Sequence, residues 1–427
     1  MKLHIEKAVY GGAGLARAGG KAVFVPFTLS GETVEARVTE DRRSYSTAEL
    51  EAVTEPSAAR VTAPCPYFGA CGGCHYQHAE YSAQVEVKTA ILRETLERAR
   101  VKDIPEIAAV TGEPFGYRNR VRLHVERNPF SLCYKRRNSH ASLAVETCPI
   151  AAPALQRAME TLNREGGALG LGEWARQIEL FVNPEESAMV AALWTEGQGE
   201  EAEGALAHLW TGLREVVPEM SGIALFAVEK ERRAPRVLAK FGEDSLKYRV
   251  SGREYQVTVG SFFQVNRFLI APLVELVTAG ESGGTAWDLY AGVGLFSLPL
   301  AEKFAEVTAV EAVAGTVWDL RENLRGTKHR VVAAETAAFL RQAAERRAEA
   351  PDLVVIDPPR DGLGAAVTTL LGKIQAPRIA YVSCEPATLS RDVAALLESG
   401  YRLAQMHLVD LFPQTFHLES VAQLILG

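Results

Sequence analysis

Cys384 is the residue of this chain best placed for nucleophilic chemistry. It follows the apolar run 378–383, so it stands at the predicted carboxyl end of a strand, where α/β proteins bind their ligands. A lone cysteine is usually structural, but a thiol at the mouth of a cleft favours a nucleophile. His417 and Glu419 share one face of a later extended segment, a spacing that surface charge alone would also explain.

A glycine turn and two acidic residues predict a nucleotide-like cofactor. Gly292 and Gly294 follow the predicted strand 285–290, and glycine lets a ligand approach the backbone closely. Glu311 ends the next strand, nineteen residues after Gly292, where its carboxylate can accept both ribose hydroxyls. Because a third glycine is missing, the turn favours S-adenosylmethionine over NAD. Asp357 precedes two prolines, which fix a rigid turn at the sheet edge.

Four cysteines have the spacing of a metal centre. The set is Cys65, Cys71, Cys74 and Cys148. Four thiolates suit either zinc or an iron–sulfur cluster. Zinc sites usually pair two short Cys-x2-Cys knuckles and this set has one, although His75 and His78 could complete a zinc site. Cys133 lies outside the pattern, and we interpret it as structural.

A basic segment predicts a nucleic-acid interface in an otherwise acidic chain. The 427 residues include 46 Lys or Arg and 53 Asp or Glu, a formal net charge of −7, which gives no global signature of nucleic-acid binding. Segment 117–137 instead holds seven Lys or Arg and one Glu. Arg118, Arg120 and Arg122 alternate there, so they share one strand face. With Tyr117 nearby, they predict a groove that follows a phosphate backbone.

The elements that position these residues fall into three predicted domains. Residues 1–54 alternate short apolar runs with glycine turns, which predicts an OB-like β-barrel. Residues 55–254 hold the four cysteines, a predicted helix at 79–100 and several strands, and predict a central α+β domain. Residues 255–427 alternate strands and helices, which predicts a parallel, doubly wound α/β sheet with its ligand at the carboxyl ends of the strands.

The composition excludes several protein classes. Hydrophobic residues make up 47% and charged residues 23%, which excludes a wholly disordered chain. Six cysteines are too few for a disulfide scaffold. The first residues lack the apolar core of a secretory signal, and no stretch reaches the roughly 18 apolar residues of a membrane-spanning helix. We therefore expect a cytoplasmic protein with no membrane partner.

Five motifs occur in the order of the RNA 5-methyluridine methyltransferase family. They are Phe262-Phe-Gln-Val-Asn266, Asp288-Leu-Tyr-Ala-Gly-Val-Gly-Leu-Phe296, Asp357-Pro-Pro-Arg360, Ser383-Cys-Glu-Pro-Ala-Thr-Leu-Ser-Arg-Asp392 and His417-Leu-Glu419. The chain resembles this family over nearly its whole length, and residues 6–17 resemble the TRAM RNA-binding domain. The resemblance implies a Rossmann-like class I methyltransferase domain, a TRAM barrel and a central domain with a 4Fe–4S cluster.

The resemblance also implies roles for individual residues. Cys384 is expected to add to C6 of uracil, so that C5 can take the methyl group of S-adenosylmethionine, and Glu419 to remove the C5 proton. Phe262 is expected to stack near the target base. Contacts to S-adenosylmethionine are expected from Gln264, Tyr290, Glu311 and Asp357. The expected ligands of the 4Fe–4S cluster are Cys65, Cys71, Cys74 and Cys148.

The expected substrate is RNA, with 23S rRNA favoured over tRNA. Family members that carry both the TRAM domain and the cluster act mostly on ribosomal RNA. A non-catalytic iron–sulfur RNA-binding protein is the remoter alternative, and the presence of both Cys384 and Glu419 argues against it. An NAD-dependent dehydrogenase has only the glycine turn in its favour. We expect a monomer, and the sequence does not indicate which uridine is modified.

Overall fold

The N-terminal residues form a closed five-stranded barrel in the computed structural model, which describes residues 1–196, 202–228 and 236–427. The strands are β1 (Lys2–Val9), β2 (Ala13–Ala18), β3 (Lys21–Pro26), β4 (Thr33–Asp41) and β5 (Tyr45–Glu55). They pair in the order β1-β2-β3-β5-β4. Alternate apolar side chains point inward and give the barrel a core of its own, to which Ile5, Val25 and Val34 belong. The predicted N-terminal barrel is confirmed.

The middle of the chain mixes helices with mostly antiparallel strands. Its elements are α1 (Tyr81–Arg98), β6 (Ile107–Val110), β7 (Arg120–Arg127), β8 (Phe130–Lys135), β9 (Ser142–Ala144), α2 (Pro153–Glu165), α3 (Leu171–Trp174), β10 (Gln177–Val182), β11 (Met189–Thr195), α4 (Ala202–Val216), β12 (Met220–Ala227) and β13 (Arg236–Gly242). Seven strands form a sheet in the order β13-β12-β11-β10-β7-β8-β9. Helices α2 and α4 pack on it through Leu155 and Leu206.

The last part of the chain alternates strands and helices, as predicted. Its elements are β14 (Ser245–Val250), β15 (Arg253–Thr258), α5 (Ile270–Thr278), β16 (Gly283–Leu289), α6 (Ser297–Ala301), β17 (Phe304–Glu311), α7 (Ala314–Asn323), β18 (Arg330–Ala333), α8 (Thr336–Glu345), β19 (Leu353–Ile356), α9 (Gly364–Ile374), β20 (Arg378–Ser383), α10 (Pro386–Glu398), β21 (Tyr401–Val409) and β22 (Glu419–Leu426). The sheet order is β18-β17-β16-β19-β20-β22-β21-β6.

This eight-stranded sheet is parallel from β18 to β20. The chain builds outward from β16 to β17 and β18, then returns to add β19 and β20 on the other side of β16. Such a reversal opens a crevice at the carboxyl ends of the two central strands, where doubly wound proteins bind their ligands. The predicted doubly wound architecture is confirmed.

Two segments of the predicted central domain pack with the catalytic sheet. Strand β6 pairs with β21 at the sheet edge. Helix α1, which confirms the helix predicted at 79–100, contributes Ile91, Leu92 and Leu96 to the same core as Val354 and Tyr381. The sequence misses this because β6 is an apolar run of only four residues, and its partner strand lies far along the chain. Helix α1 and strand β6 therefore pack with the C-terminal part of the chain, although the prediction placed them in the central domain. The division into three domains remains a prediction.

None of the helices in the described part of the chain combines the length and apolar character needed to cross a membrane.

Candidate active site

Four adjacent parallel strands end at the same edge of the large sheet, and each carries a predicted site residue there. Leu289 pairs with Val310 on one side and with Ile356 on the other, and Ile356 pairs with Tyr381. The predicted residues at or just past the ends of β16, β17, β19 and β20 are Tyr290, Glu311, Asp357 and Cys384. The fold therefore brings together side chains that are spread over almost a hundred positions of the sequence.

Cys384 and Glu419 lie opposite each other at the end of the antiparallel pair β20–β22. Ser383 pairs with Ser420, and the Ser420 hydroxyl donates to the Ser383 carbonyl oxygen at 3.1 Å. One further step in this register sets Cys384 against Glu419. Glu419 is buried, with 3% of its surface exposed, and Cys384 is half-buried. A thiol and a carboxyl group thus stand at the same end of the strand pair, close enough for the charge of Glu419 to raise the pKa of Cys384.

The surroundings raise the pKa values of both groups. Burial raises the pKa of Cys384 to about 11, and the charges of Glu419 and Asp357 act in the same direction. Burial, followed by the charge of Asp357, holds the pKa of Glu419 well above its ordinary value. The positive charge of Arg360 opposes both shifts, although both pKa values remain raised. Arg360 is part of the motif Asp357-Pro-Pro-Arg360, but the sequence analysis assigned it no role. Its positive charge was a possible indication, because a thiolate nucleophile is stabilised by a nearby cation.

The glycine turn leaves open space beside Glu311. Gly292 and Gly294 have φ values of +56° and +92°, and a Cβ at Gly292 would meet nothing within 4 Å. Glu311 accepts hydrogen bonds from the backbone N–H groups of Gly292 at 3.0 Å and Val313 at 2.7 Å, which fix its carboxylate at the turn. The geometry leaves room for the ribose of a nucleotide-like cofactor at this position.

Asp288 and Asp357 give the crevice acidic groups that a cation would satisfy. Asp288 is fully buried, and its Oδ1 has no hydrogen-bond partner among the described residues. Burial raises the pKa of Asp288 to about 7, against the effect of a hydrogen bond from Ser297. Burial likewise raises the pKa of Asp357 to about 7, and Gln264 Nε2 donates to Asp357 Oδ2 at 3.5 Å. S-adenosylmethionine carries a sulfonium and an ammonium group, and these positive groups fit the two carboxylates.

Phe262, the residue predicted to stack near the target base, is 67% exposed. Its neighbour Phe263 is buried in the core beneath it and contacts Tyr248 at a ring distance of 4.8 Å. The pair therefore divides the two roles that sequence alone left open, since one ring packs in the core and the other is free at the surface. The stacking role of Phe262 remains a prediction.

The four cysteines of the predicted metal centre converge on one cavity of about 450 Å³. The residues are Cys65, Cys71, Cys74 and Cys148, all with free thiols. Burial, together with the charges of the other three thiols, raises the pKa of Cys74 to about 12. Among the described residues, however, no three His, Cys, Asp or Glu side chains are placed to hold a single metal ion. The cluster therefore remains a prediction.

The two histidines that could have completed a zinc site do not line this cavity. His75 packs against the ring of Phe416 at 4.6 Å, and His78 packs against Phe68 at 5.7 Å. Both histidines are buried, and burial lowers the pKa of each to about 4. Their positions give the zinc alternative no support.

The three arginines predicted to bind RNA line the same cavity as the cysteines. Arg120 is engaged inside the protein, because its Nη1 donates to the Ser261 carbonyl oxygen at 2.6 Å and lies 3.3 Å from Glu179 Oε1. Its guanidinium also stacks on Phe181 at 4.0 Å. Arg122 is exposed and Arg118 is half-buried. Arg120 is therefore held by structural contacts, and the Arg122 guanidinium stacks on Trp194 at 3.8 Å. The alternating pattern could not reveal either contact.

A sequence model of the tRNA (uracil-5-)-methyltransferase family matches residues 80–426. The chain belongs to this family. It is thus an RNA uracil-5 methyltransferase, as its motifs predicted. A TRAM domain model matches residues 2–50, which form most of the barrel.

Relatives of this RNA uracil-5 methyltransferase match it over nearly its whole length. It is 34% identical to an uncharacterized RNA methyltransferase of Aquifex aeolicus, over 99% of this chain and 98% of the relative. It is 32% identical to the 23S rRNA (uracil(1939)-C(5))-methyltransferase RlmD of Pectobacterium atrosepticum, over 96% of this chain and 90% of the relative.

A solved structure shares the complete architecture. The tRNA (uracil-54, C5)-methyltransferase of Pyrococcus abyssi, in complex with S-adenosyl-L-homocysteine, superposes with a TM-score of 0.78 at 23% identity. The match covers 100% of both chains. The predicted class I methyltransferase fold is confirmed.

Proposed function

We propose that this enzyme methylates C5 of a uridine in 23S rRNA through a covalent adduct between Cys384 and C6 of the base. The observation that supports the proposal is the register of β20 and β22, in which Ser383 pairs with Ser420, so that the adjacent residues Cys384 and Glu419 stand at the same end of the strand pair. A nucleophile and a base on the same side of a cofactor crevice are what the reaction needs, because C5 of uracil is too weak a nucleophile without addition at C6.

Cys384 and Glu419 act in sequence. The Cys384 thiolate adds to C6, which makes C5 nucleophilic, and Arg360 favours the thiolate form. S-adenosylmethionine supplies the methyl group that C5 takes. Glu419 then removes the C5 proton, and the C6–sulfur bond breaks to release the thiolate. Because burial raises the pKa of Glu419, its carboxylate is a stronger base than an exposed glutamate.

The residues that would hold the cofactor stand at the carboxyl ends of β16, β17 and β19. Glu311 would accept hydrogen bonds from the ribose, and Asp288 would offer its unpartnered oxygen to a positive group. The proposed contacts to S-adenosylmethionine are Gln264, Tyr290, Glu311 and Asp357. Phe262 stacks on the target base, which must leave any helical stack to reach Cys384.

The assignment of 23S rRNA as substrate is supported by relatives that are 30–34% identical to this chain. Several of them are named 23S rRNA (uracil(1939)-C(5))-methyltransferases. A tRNA substrate is the second candidate, because the solved structure of the same architecture is a tRNA enzyme. Mass-spectrometric mapping of 5-methyluridine in a deletion strain separates the two. We expect one or more uridines of 23S rRNA to lose the methyl group, and a loss confined to tRNA would contradict the assignment.

The mechanism is tested by two substitutions with different expected outcomes. Cys384→Ala cannot activate C5, so it should abolish methylation while S-adenosylmethionine still binds. Glu419→Gln should accumulate a methylated protein–RNA adduct, visible as a slowly migrating band under denaturing conditions, because addition and methyl transfer precede proton removal. RNA containing 5-fluorouridine should trap the wild-type enzyme in the same way. An adduct formed by Cys384→Ala would show that the nucleophile is misassigned.

The cysteine cavity is the proposed site of a 4Fe–4S cluster. Four thiols share the cavity, and burial raises the pKa values of Cys65, Cys71 and Cys74, so a metal centre that binds them as thiolates would supply the positive charge that favours their ionised form. Anaerobically purified protein is expected to contain iron and sulfide, and Cys71→Ser or Cys74→Ser should lose both. Cys133→Ala is the matched control, because Cys133 is buried outside the cavity. Stoichiometric zinc without iron would contradict the proposal.

A further inference from the structure

The turn between β1 and β2 of the TRAM barrel reaches into the methyltransferase active site. Tyr10 lies in this turn, and its hydroxyl donates to Glu385 Oε2 at 2.9 Å. Glu385 directly follows Cys384, and its other carboxylate oxygen accepts a hydrogen bond from Ala387 N at 3.4 Å, at the start of α10. Tyr10 thus completes the hydrogen bonding of the residue next to the proposed nucleophile.

The ring of Tyr10 makes a second contact, on the side of the proposed base. It meets Phe416 edge-on, with ring centres 5.3 Å apart and an interplanar angle of 88°. Phe416 lies three residues before Glu419 and also packs against His75. One side chain of the N-terminal barrel therefore touches the segments that carry both Cys384 and Glu419.

Close packing behind Tyr10 holds the turn in place. Gly12 has a φ of +86°, and a Cβ there would lie 3.0 Å from the Cβ of His75. Gly11 also has a positive φ, of +99°, but a Cβ at Gly11 would meet nothing within 4 Å. The turn is therefore seated on His75 at Gly12, whereas Gly11 faces open space.

We propose that Tyr10 is a positioning residue of the methyltransferase active site, which it supports through Glu385 and Phe416. The proposal rests on the proposed roles of Cys384 and Glu419. A barrel that served only to bind RNA would not need a hydrogen bond beside the nucleophile. In this arrangement the TRAM domain is part of the framework that sets the distance between nucleophile and base.

Removal of the Tyr10 hydroxyl and of its ring separates the two contacts. Tyr10→Phe keeps the ring against Phe416 and should lower kcat roughly tenfold, because a hydrogen bond to a carboxylate is lost. Tyr10→Ala should lower kcat by a further factor of about two to ten, because the aromatic pair is lost as well. In both variants KM for RNA and for S-adenosylmethionine should stay within about twofold of the wild type. A twofold change corresponds to about 0.4 kcal/mol of apparent binding free energy. The substrate for these assays is 23S rRNA isolated from a strain that lacks the enzyme.

Three further measurements complete the test. Tyr45→Phe is the matched control, because Tyr45 lies in the same barrel and its ring contacts Phe24; its kcat should be unchanged. In a Glu385→Ala background, Tyr10→Phe should have no additional effect, since the hydrogen bond is already absent. Gly12→Ala should lower kcat more than Gly11→Ala, because both add strain at a positive φ but only the first pushes the turn off His75.

The proposal is overturned if Tyr10→Phe and Tyr10→Ala keep the wild-type kcat, or if they change only KM for RNA. The latter result would assign Tyr10 to RNA binding alone. A failure of the underlying mechanism gives a different result, since Cys384→Ala would then still form the adduct with 5-fluorouridine RNA whatever residue stands at position 10.

Discussion

An ion pair without solvent exposure joins helix α1 to the segment that precedes Glu419. Lys88 Nζ lies 2.6 Å from Asp410 Oδ1, and neither side chain has any exposed surface. Lys88 also donates to the Phe412 carbonyl oxygen at 2.9 Å. Burial lowers the pKa of Lys88, and the charge of Asp410 opposes that shift. We expect the loss of either charge alone to weaken the attachment of α1 to the eight-stranded sheet.

The expected magnitude follows from the burial of both charges. Lys88→Met leaves the Asp410 carboxylate buried without its counter-charge, and Asp410→Leu leaves the Lys88 ammonium group buried without its counter-charge. Each substitution should cost about 3–5 kcal/mol of unfolding free energy. The double substitution Lys88→Met/Asp410→Leu removes both charges and should lie within about 2 kcal/mol of the wild type. The double-mutant cycle should therefore show a coupling energy of several kcal/mol, well above the roughly 0.5 kcal/mol scatter of independent sites.

The assay is urea unfolding followed by tryptophan fluorescence, with methylation measured on the same preparations. Lys7→Met is the matched control. Lys7 Nζ lies 2.6 Å from Glu94 Oε1, the same distance, but these side chains are 43% and 32% exposed. A pair exposed to this degree should contribute only about 0–1 kcal/mol. If Lys88→Met costs no more than Lys7→Met, the reasoning from burial is wrong.

Three further predictions concern the cofactor crevice and the nucleophile. Because burial raises the pKa values of Asp288 and Asp357 to about 7, binding of the sulfonium and ammonium groups of S-adenosylmethionine should release protons near pH 7 and strengthen as pH rises from 6 to 8; titration calorimetry in two buffers of different ionisation enthalpy measures the release. Arg360→Gln removes the cation that lowers the pKa of the thiol, so the acid limb of the pH profile of kcat/KM should move to higher pH, and an unmoved limb would contradict this role. Gly294→Ala places a Cβ 2.8 Å from a side chain of α7 and should cost about 1–3 kcal/mol of unfolding free energy, whereas Gly292→Ala faces open space and should weaken cofactor binding with a smaller loss of stability.

The candidate active site could be predicted from the sequence because its residues are tied to strand ends. An apolar run followed at once by a polar residue marks the end of a buried parallel strand, and the carboxyl ends of such strands meet at one edge. This rule predicts from the sequence alone that Glu311, Asp357 and Cys384 lie at one edge of the sheet. Glu419 needed the family resemblance, because its position depends on β22 running antiparallel beside β20.

Long-range packing accounts for what the sequence did not predict. The sequence pattern around Arg120 is that of a surface strand, yet its guanidinium donates to the carbonyl oxygen of Ser261, more than a hundred residues away. Lys88 lies on the buried, apolar face of α1, where a charged residue interrupts the apolar periodicity of the helix. The structure explains its position, because Asp410 lies beside it. Tyr10 is one of many barrel residues until Glu385 is placed within reach. In each case one partner alone carries no signal.

The segment between β21 and β22, residues 410–418, shows why these long-range contacts bear on catalysis. It has no regular secondary structure, and its backbone is held by groups from distant parts of the chain. The carbonyl oxygen of Gln414 accepts from the backbone N–H groups of His75 and Tyr76, while the Gln84 and Gln414 side chains are bonded to each other at 3.0 Å. Tyr117 donates to the Pro413 carbonyl oxygen at 3.0 Å.

This pattern of bonds links the cysteine cavity to the proposed base. His75 and Tyr76 directly follow Cys74, so the loop that supplies a cysteine to the cavity also supplies two of the hydrogen bonds to Gln414. Gln414 has a positive φ of 68°, a backbone conformation that is uncommon for residues other than glycine and that the surrounding hydrogen bonds stabilise here. Disorder in the cysteine loop would release that constraint five residues before Glu419. The loop that follows Cys74 therefore helps to hold the segment that leads to the proposed base, Glu419.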